Sequence, residues 1–133
     1  MYLLKKKRIP FKKLITFGLL PSKLKIILLK LAGHSIGKCV EIRFGSVIIG
    51  DKITIHNYVK ISPFTIIIAK EIFIGENSII GSFCFIDTLE MKIGNNVRFR
   101  ELVKVGGNKS IGSALNIGND CLILQDTLLN TTD

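Results

Sequence analysis

Several things are scarce in this sequence, and each scarcity excludes something. The 133 residues hold two histidines, His34 and His56, too few for a three-histidine zinc site. Three cysteines, Cys39, Cys84 and Cys121, form no Cys-x-x-Cys pair, and their odd number argues against a disulfide framework. A reduced, cytosolic compartment fits that usage. No apolar run reaches the ~18 residues needed to span a bilayer. The run from Leu14 to Leu20 is short and gives way to Pro21 and Lys23, which argues against a signal peptide. No glycine-rich nucleotide-binding segment is present.

Acid is missing from the first forty positions. They hold ten cations: Lys5, Lys6, Lys7, Arg8, Lys12, Lys13, Lys23, Lys25, Lys30 and Lys38. Residues 41–133 hold nine basic and ten acidic residues, so the formal +9 of the chain resides in its leader. Such a tract either forms a solvated face or meets an anionic surface, lipid or nucleic acid. It carries no nucleic-acid-binding motif and no interleaved stacking aromatics, so a nucleic-acid partner is not expected.

What the chain does have is a period of six. In the stretch Ile74 to Ile86, IGENSIIGSFCFI, isoleucine recurs at 74, 80 and 86. Glycine follows at Gly75 and Gly81, and a small residue stands four places on, at Ser78 and Cys84. No helix and no ordinary amphipathic strand has that period. Side chains two apart in a strand share a face, so Ser78 with Ile80, and Cys84 with Ile86, can point into one core. The residues after each isoleucine must turn, and glycine and asparagine are expected there for their tolerance of positive φ. Fixed hexapeptide self-similarity marks a parallel β-helix.

The phase runs through sixteen apolar lead positions: 36, 42, 49, 55, 61, 67, 74, 80, 86, 93, 99, 105, 111, 117, 123 and 129. Thirteen are isoleucine, and three steps are of seven (42 to 49, 67 to 74, 86 to 93). The fifth position is Ser, Thr, Val or Cys at ten of the sixteen units. Lys109, in VGGNKS, marks a bulged corner or a small loop. A sandwich would space its strands more widely and less regularly.

Residues 1–35 therefore read as a basic helical leader and residues 36–133 as the repeat. Leu19 to Gly33 reads as a helix, with Ser22 as N-cap and Gly33 as terminator. Leu24, Ile27, Leu28 and Leu31 share its apolar face, which Ile26 and Leu29 widen, leaving Lys23, Lys25 and Lys30 at its edges. An open β-helix end exposes core and unpaired backbone, so this face is expected to cap the first coil. A second, compatible role is to lie on an anionic membrane surface, through residues 1–30. His34 reads as a linker residue and His56 as an outward corner residue.

The repeat, apolar-Gly-x-x-small-x, resembles that of the hexapeptide-repeat acyltransferases, over residues 36–133. The lead-in LPSKLKIILLKLAGHSIGK looks like that of the branch that O-acetylates sugars in cell-surface polysaccharide synthesis. The resemblance implies an all-β fold, a left-handed parallel β-helix of triangular section with a short helical leader. It implies a homotrimer with acetyl-coenzyme A as co-substrate between adjacent prisms, a sugar or glycan acceptor, no metal, and a histidine as general base. The segment Leu128 to Asp133, LLNTTD, resembles the acceptor-side segment, with Asn130 and Asp133 as its substrate-binding residues. The family's histidine comes some twenty residues later, and neither His34 nor His56 matches it. The chain ends inside a hexad, so the expectation is a piece of a longer product, with the catalytic base beyond Asp133.

The competing reading is a non-catalytic scaffold or oligomerisation module. An ice-binding solenoid would need a regular outward Thr-x-Thr array, which is absent. If lead residues line a packed core, Ile80→Lys buries an unpaired charge and destabilises the fold by roughly 4 kcal/mol or more. A thermal melt of the variant checks this; a wild-type transition is incompatible with the register.

Overall fold

The structure is a computed structural model and describes residues 18–107 and 114–131. Among the described residues, helix α1 (Ser22–Leu31) precedes fifteen short strands stacked in layers of three. The first layer is β1 (Ser35–Ile36), β2 (Glu41–Ile42) and β3 (Val47–Ile49). The second is β4 (Lys52–Ile55), β5 (Lys60–Ile61) and β6 (Ile66–Ile68). The third is β7 (Glu71–Ile74), β8 (Ile79–Ile80) and β9 (Phe85–Asp87). The fourth is β10 (Glu90–Ile93), β11 (Arg98–Phe99) and β12 (Lys104–Gly107). The fifth is β13 (Ala114–Ile117), β14 (Leu122–Ile123) and β15 (Leu128–Thr131).

Every third strand pairs in parallel, giving three five-stranded sheets: β1-β4-β7-β10-β13, β2-β5-β8-β11-β14 and β3-β6-β9-β12-β15. The molecule is thus a left-handed parallel β-helix of three faces with a helical leader. The register has a strict repeat. Ile36 pairs with Ile55, Ile55 with Ile74 and Ile74 with Ile93, each nineteen residues on. Ile93 then pairs with Ile117, twenty-four residues on.

One lead position needs correcting. The inward residue of β3 is Ile48, which is buried and pairs with Ile67, not Ile49, which pairs with Ile68. Three consecutive apolar residues, Val47-Ile48-Ile49, hid the phase. The seven-residue steps accordingly fall at 48 to 55, 67 to 74 and 86 to 93, always between the third sheet and the first. Ile111 lies outside the described residues, which resume at β13. The extra residues of the fifth layer fall in the sequence between β12 and β13, and Lys109, where VGGNKS suggested a bulge or loop, lies outside the described residues.

The small fifth position follows the corners too. Its ten occurrences are the first and second corners of all five layers (Val40, Val59, Ser78, Val97, Cys121; Ser46, Thr65, Cys84, Val103, Thr127). At the third corner the inward residue is large: Ile53, Ile72, Met91 and Leu115, all buried. Small polar residues survive inside because each bonds the next layer's backbone. Thr65 Oγ1 donates to Gly81 O at 2.5 Å and Ser78 Oγ to Gly94 O at 2.8 Å. Ser78 Oγ also accepts from Val97 N at 3.1 Å.

The glycines that follow the lead residues have a different reason from the expected one. None of the described ones is at positive φ; the left-handed residues stand two places later, at Cys39, Tyr58, Asn77, Asn96 and Asp120 along the first corner. Close approach explains the glycines. A Cβ on Gly37 would stand 2.5 Å from Asn57 Oδ1, one on Gly75 2.5 Å from Asn95 Oδ1, and one on Gly94 2.4 Å from Asn119 Oδ1. Those asparagine oxygens accept backbone N–H groups of the layer below: Lys38 N at 2.7 Å, Glu76 N at 2.9 Å and Asn95 N at 2.8 Å. Where the upper layer has Glu76 in place of asparagine, the lower position is His56 rather than glycine. Glycine and asparagine are one device spread over two layers.

The helix also departs from expectation. It begins at Ser22 with Pro21 as N-cap, and Ser22 Oγ accepts from Ile42 N at 2.9 Å instead of capping its own helix. Gly33, at φ 94°, ends it as expected. The helix does cover the first layer, packing on β1 and β2. It does so with Lys25 and Leu29, which are buried, flanked by Ser22 and Ile26. Leu24, Ile27, Leu28 and Leu31, the expected capping face, are exposed. Lys25 is 0 % exposed, and its Nζ donates to Arg43 O at 2.7 Å and Ser46 O at 3.0 Å. Burial pulls its pKa down to about 8. A charged donor answers first-layer carbonyls that have no layer below them, a task no leucine could perform.

The layered pairing makes a sharp distinction among glycines. Gly94→Ala forces a Cβ into Asn119 and should cost about 1–3 kcal/mol. Gly118 tops the same column, and no described atom lies within 4 Å of its Cβ position. Gly118→Ala should change stability by less than about 1 kcal/mol. Chemical denaturation of the two variants checks the pair.

Candidate functional site

The three corners differ in chemistry, and that difference locates a candidate site. The first corner carries the glycine–asparagine ladder and is structural. The second carries left-handed residues at Phe64 (φ 60°), Phe83 (φ 57°) and Leu102 (φ 60°) above Gly45 (φ 81°). All three large side chains are exposed, as is Phe44. Phe64 stacks on Phe83 with centroids 5.5 Å apart and meets Phe44 edge-on at 5.9 Å. Left-handed backbone costs a bulky L-residue about 1–2 kcal/mol, which glycine or asparagine would avoid. An apolar ridge is therefore maintained along this edge against local preference. Only the Phe64 and Phe83 ring faces turn to each other.

The third corner turns from apolar to polar as the layers rise. Register aligns Ile49 with Ile68 and Ile68 with Asp87. The Ile86–Val105 pair brings Gly106 next to Asp87 in the column, and Gly106 pairs with Asn130. Asp87 is only 6 % exposed and is the one buried carboxylate among the described residues. Thr88 beside it is buried, its Oγ1 donating to Glu90 O at 3.0 Å. No described atom comes within 4 Å of where a Gly106 Cβ would stand. A carboxylate, a glycine and an asparagine thus line one column over three layers. Beyond the corner, Lys52, Thr54, Glu71, Phe73, Glu90 and Lys92 line a shallow depression on the outer face of the first sheet. A carboxylate in such a column can accept hydrogen bonds from sugar hydroxyls, and the amide next to it can donate or accept.

Of the two residues expected to bind substrate, Asn130 has its backbone in β15, at this corner. Its side chain, and Asp133 entirely, lie outside the described residues. Asp87 was not singled out from sequence. The signal was available: it directly follows a lead residue, where glycine is usual, on a buried strand.

The histidines are elsewhere. His56 is exposed at the first corner, its ring 5.0 Å from Phe73. His34 is half-buried rather than a free linker residue, and its Nδ1 accepts from Ile53 N at 3.2 Å. Burial lowers its pKa. Burial also pushes the Cys84 thiol up, with backbone hydrogen bonds partly opposing it, which makes it core filler rather than a nucleophile. No group of three metal-ligating side chains occurs among the described residues, and no described helix is long and apolar enough to cross a membrane. No family model, curated protein or solved structure matches the chain.

His34 gives a pH dependence whose sign follows from its lowered pKa. The folded state holds the neutral ring, so protons bind the unfolded chain more readily. Its contribution is present above the ordinary histidine pKa of about 6.5 and is lost as pH falls below it. Melting temperature is expected to drop between about pH 6.5 and 5.5, and His34→Gln, which keeps an acceptor, to flatten that slope.

Proposed function

We propose that this chain belongs to a cytoplasmic O-acetyltransferase that moves an acetyl group from acetyl-coenzyme A to a sugar hydroxyl of a cell-surface polysaccharide. One observation carries the reading: a three-sided left-handed β-helix of hexads, with a polar column of Asp87, Gly106 and Asn130 at one corner. The argument from fold is one of analogy, because fold alone does not set function. In the reaction the sugar oxygen attacks the thioester carbonyl carbon, and the carbon–sulfur bond breaks. A general base takes the hydroxyl proton, which ends on the departing thiolate. Asp87 and Asn130 hold and orient the acceptor hydroxyls, a positioning role that a rigid prism serves well. No histidine stands at this corner among the described residues.

The same proposal assembles three copies, with acetyl-coenzyme A between prisms. The apolar ridge of Phe44, Phe64, Phe83 and Leu102 supports contact between copies. It equally supports the second reading, a non-catalytic scaffold or oligomerisation module, and ligand binding separates the two.

Isothermal titration with acetyl-coenzyme A, alongside sedimentation equilibrium, tests the reading. A trimer is expected, with a dissociation constant between about 1 μM and 1 mM. Asp87→Asn should leave that affinity unchanged while weakening capture of a sugar acceptor by roughly tenfold or more. A trimer that binds no acetyl-coenzyme A leaves the scaffold reading standing.

A further inference from the structure

The outer face of α1 is exposed and has no partner among the described residues. Leu24 is 46 % exposed, Ile27 50 %, Leu28 45 % and Leu31 78 %, four large apolar side chains on one side of a ten-residue helix. Leu19, just before the helix, is exposed as well. Lys23 and Lys30 are exposed on the same helix, and Lys38 is exposed on the first layer. No acidic residue occurs before Glu41, and Glu41 bonds Arg43 at 3.2 Å. The helix thus turns its single buried lysine inward onto the solenoid and its leucines outward, the reverse of a helix built only to cap. Contiguous exposed apolar surface rimmed by charge marks an interaction site.

Charge selects the occupant. A second copy packed face to face would bring both sets of Lys23 and Lys30 onto one seam, with no helix acid to answer them. An anionic bilayer answers leucines and lysines together. We propose that the N-terminal end of the solenoid docks on an anionic phospholipid bilayer, with α1 lying in the interface plane. Leu24, Ile27, Leu28 and Leu31 enter the upper acyl region. Lys23 and Lys30 reach headgroup phosphates with their charged ends while their stems follow the apolar surface. The layers then stack away from the membrane, placing Asp87, two layers beyond the first, ~10 Å further out. This inference does not depend on the acyl-transfer reading.

The chain contains no tryptophan, so a single introduced indole is a clean reporter. The full chain carrying Leu31→Trp is mixed with vesicles of phosphatidylcholine and phosphatidylglycerol in equal parts, and with phosphatidylcholine alone. Leu122→Trp, an exposed position on β14, serves as the control. Emission of the Leu31→Trp protein is expected to shift to the blue on anionic vesicles only, and less so at ~0.5 M salt. The Leu122→Trp emission should not move. Adding Ile27→Ser to the Leu31→Trp protein should lower vesicle affinity roughly fivefold or more, and Lys23→Gln with Lys30→Gln roughly tenfold or more. An unshifted Leu31→Trp spectrum on anionic vesicles overturns the proposal, even if the protein floats with them through its remaining leader lysines. A blue shift that rises with protein concentration and ignores vesicles also overturns it, and assigns the face to a second copy.

Discussion

Each layer of this molecule must return its chain to the place it left nineteen residues earlier, because every backbone N–H and C=O on the faces bonds the layer above or below. Ile36, Ile55, Ile74 and Ile93 are in register for that reason, and the rest of the sequence adjusts to it. Side chains at the first corner must fit between backbones held at strand spacing, so an asparagine that bonds the layer below requires a glycine beneath it. Hydroxyls inside the prism are tolerated only where a carbonyl of the next layer waits for them. The first layer has no layer beneath, and there α1 brings the Lys25 ammonium to two carbonyls.

With two corners occupied by that register, freedom collects at the third. The seven-residue steps fall there, the change from nineteen to twenty-four residues per layer falls there, and its inward residues are large instead of small. Longer, looser connections carry functional groups more readily than tight ones. Asp87 and Asn130 sit on this edge, while the second edge carries hydrophobic residues in backbone conformations they do not favour. The molecule separates its tasks by edge: one structural, one apolar, one polar.

The solenoid itself was legible because its signal is periodic and redundant. Fourteen of the fifteen described lead positions stand as read, and the error at Ile49 arose where three apolar residues in a row made the phase ambiguous. The corner chemistry was less legible. Glycine suggested positive φ, but its reason was an atom twenty residues away, Asn57 Oδ1 for Gly37, and a local reading cannot see that. The helix face was misread for a related cause. Hydrophobic spacing shows which residues share a side, but not which side the solenoid needs, and the open end needed a donor more than it needed leucine. Lys25 looked like an edge charge and is the most buried polar group of the leader. Asp87 was missed because an acid on a strand reads as solvated until the layers cover it. Asn130 fell at the polar corner, although its role there comes from resemblance.

The matched asparagine and glycine have a consequence for how such a chain can change over generations. Neither residue is free to vary alone: a lone asparagine meets a Cβ below it, and a lone glycine leaves an N–H without its acceptor. The substitutions are linked in pairs one layer apart, so neutral drift along this edge proceeds by compensated double changes. A whole layer, by contrast, carries its own half of two such pairs and could be duplicated or lost as a block. The heritable unit of this architecture is the coil rather than the residue.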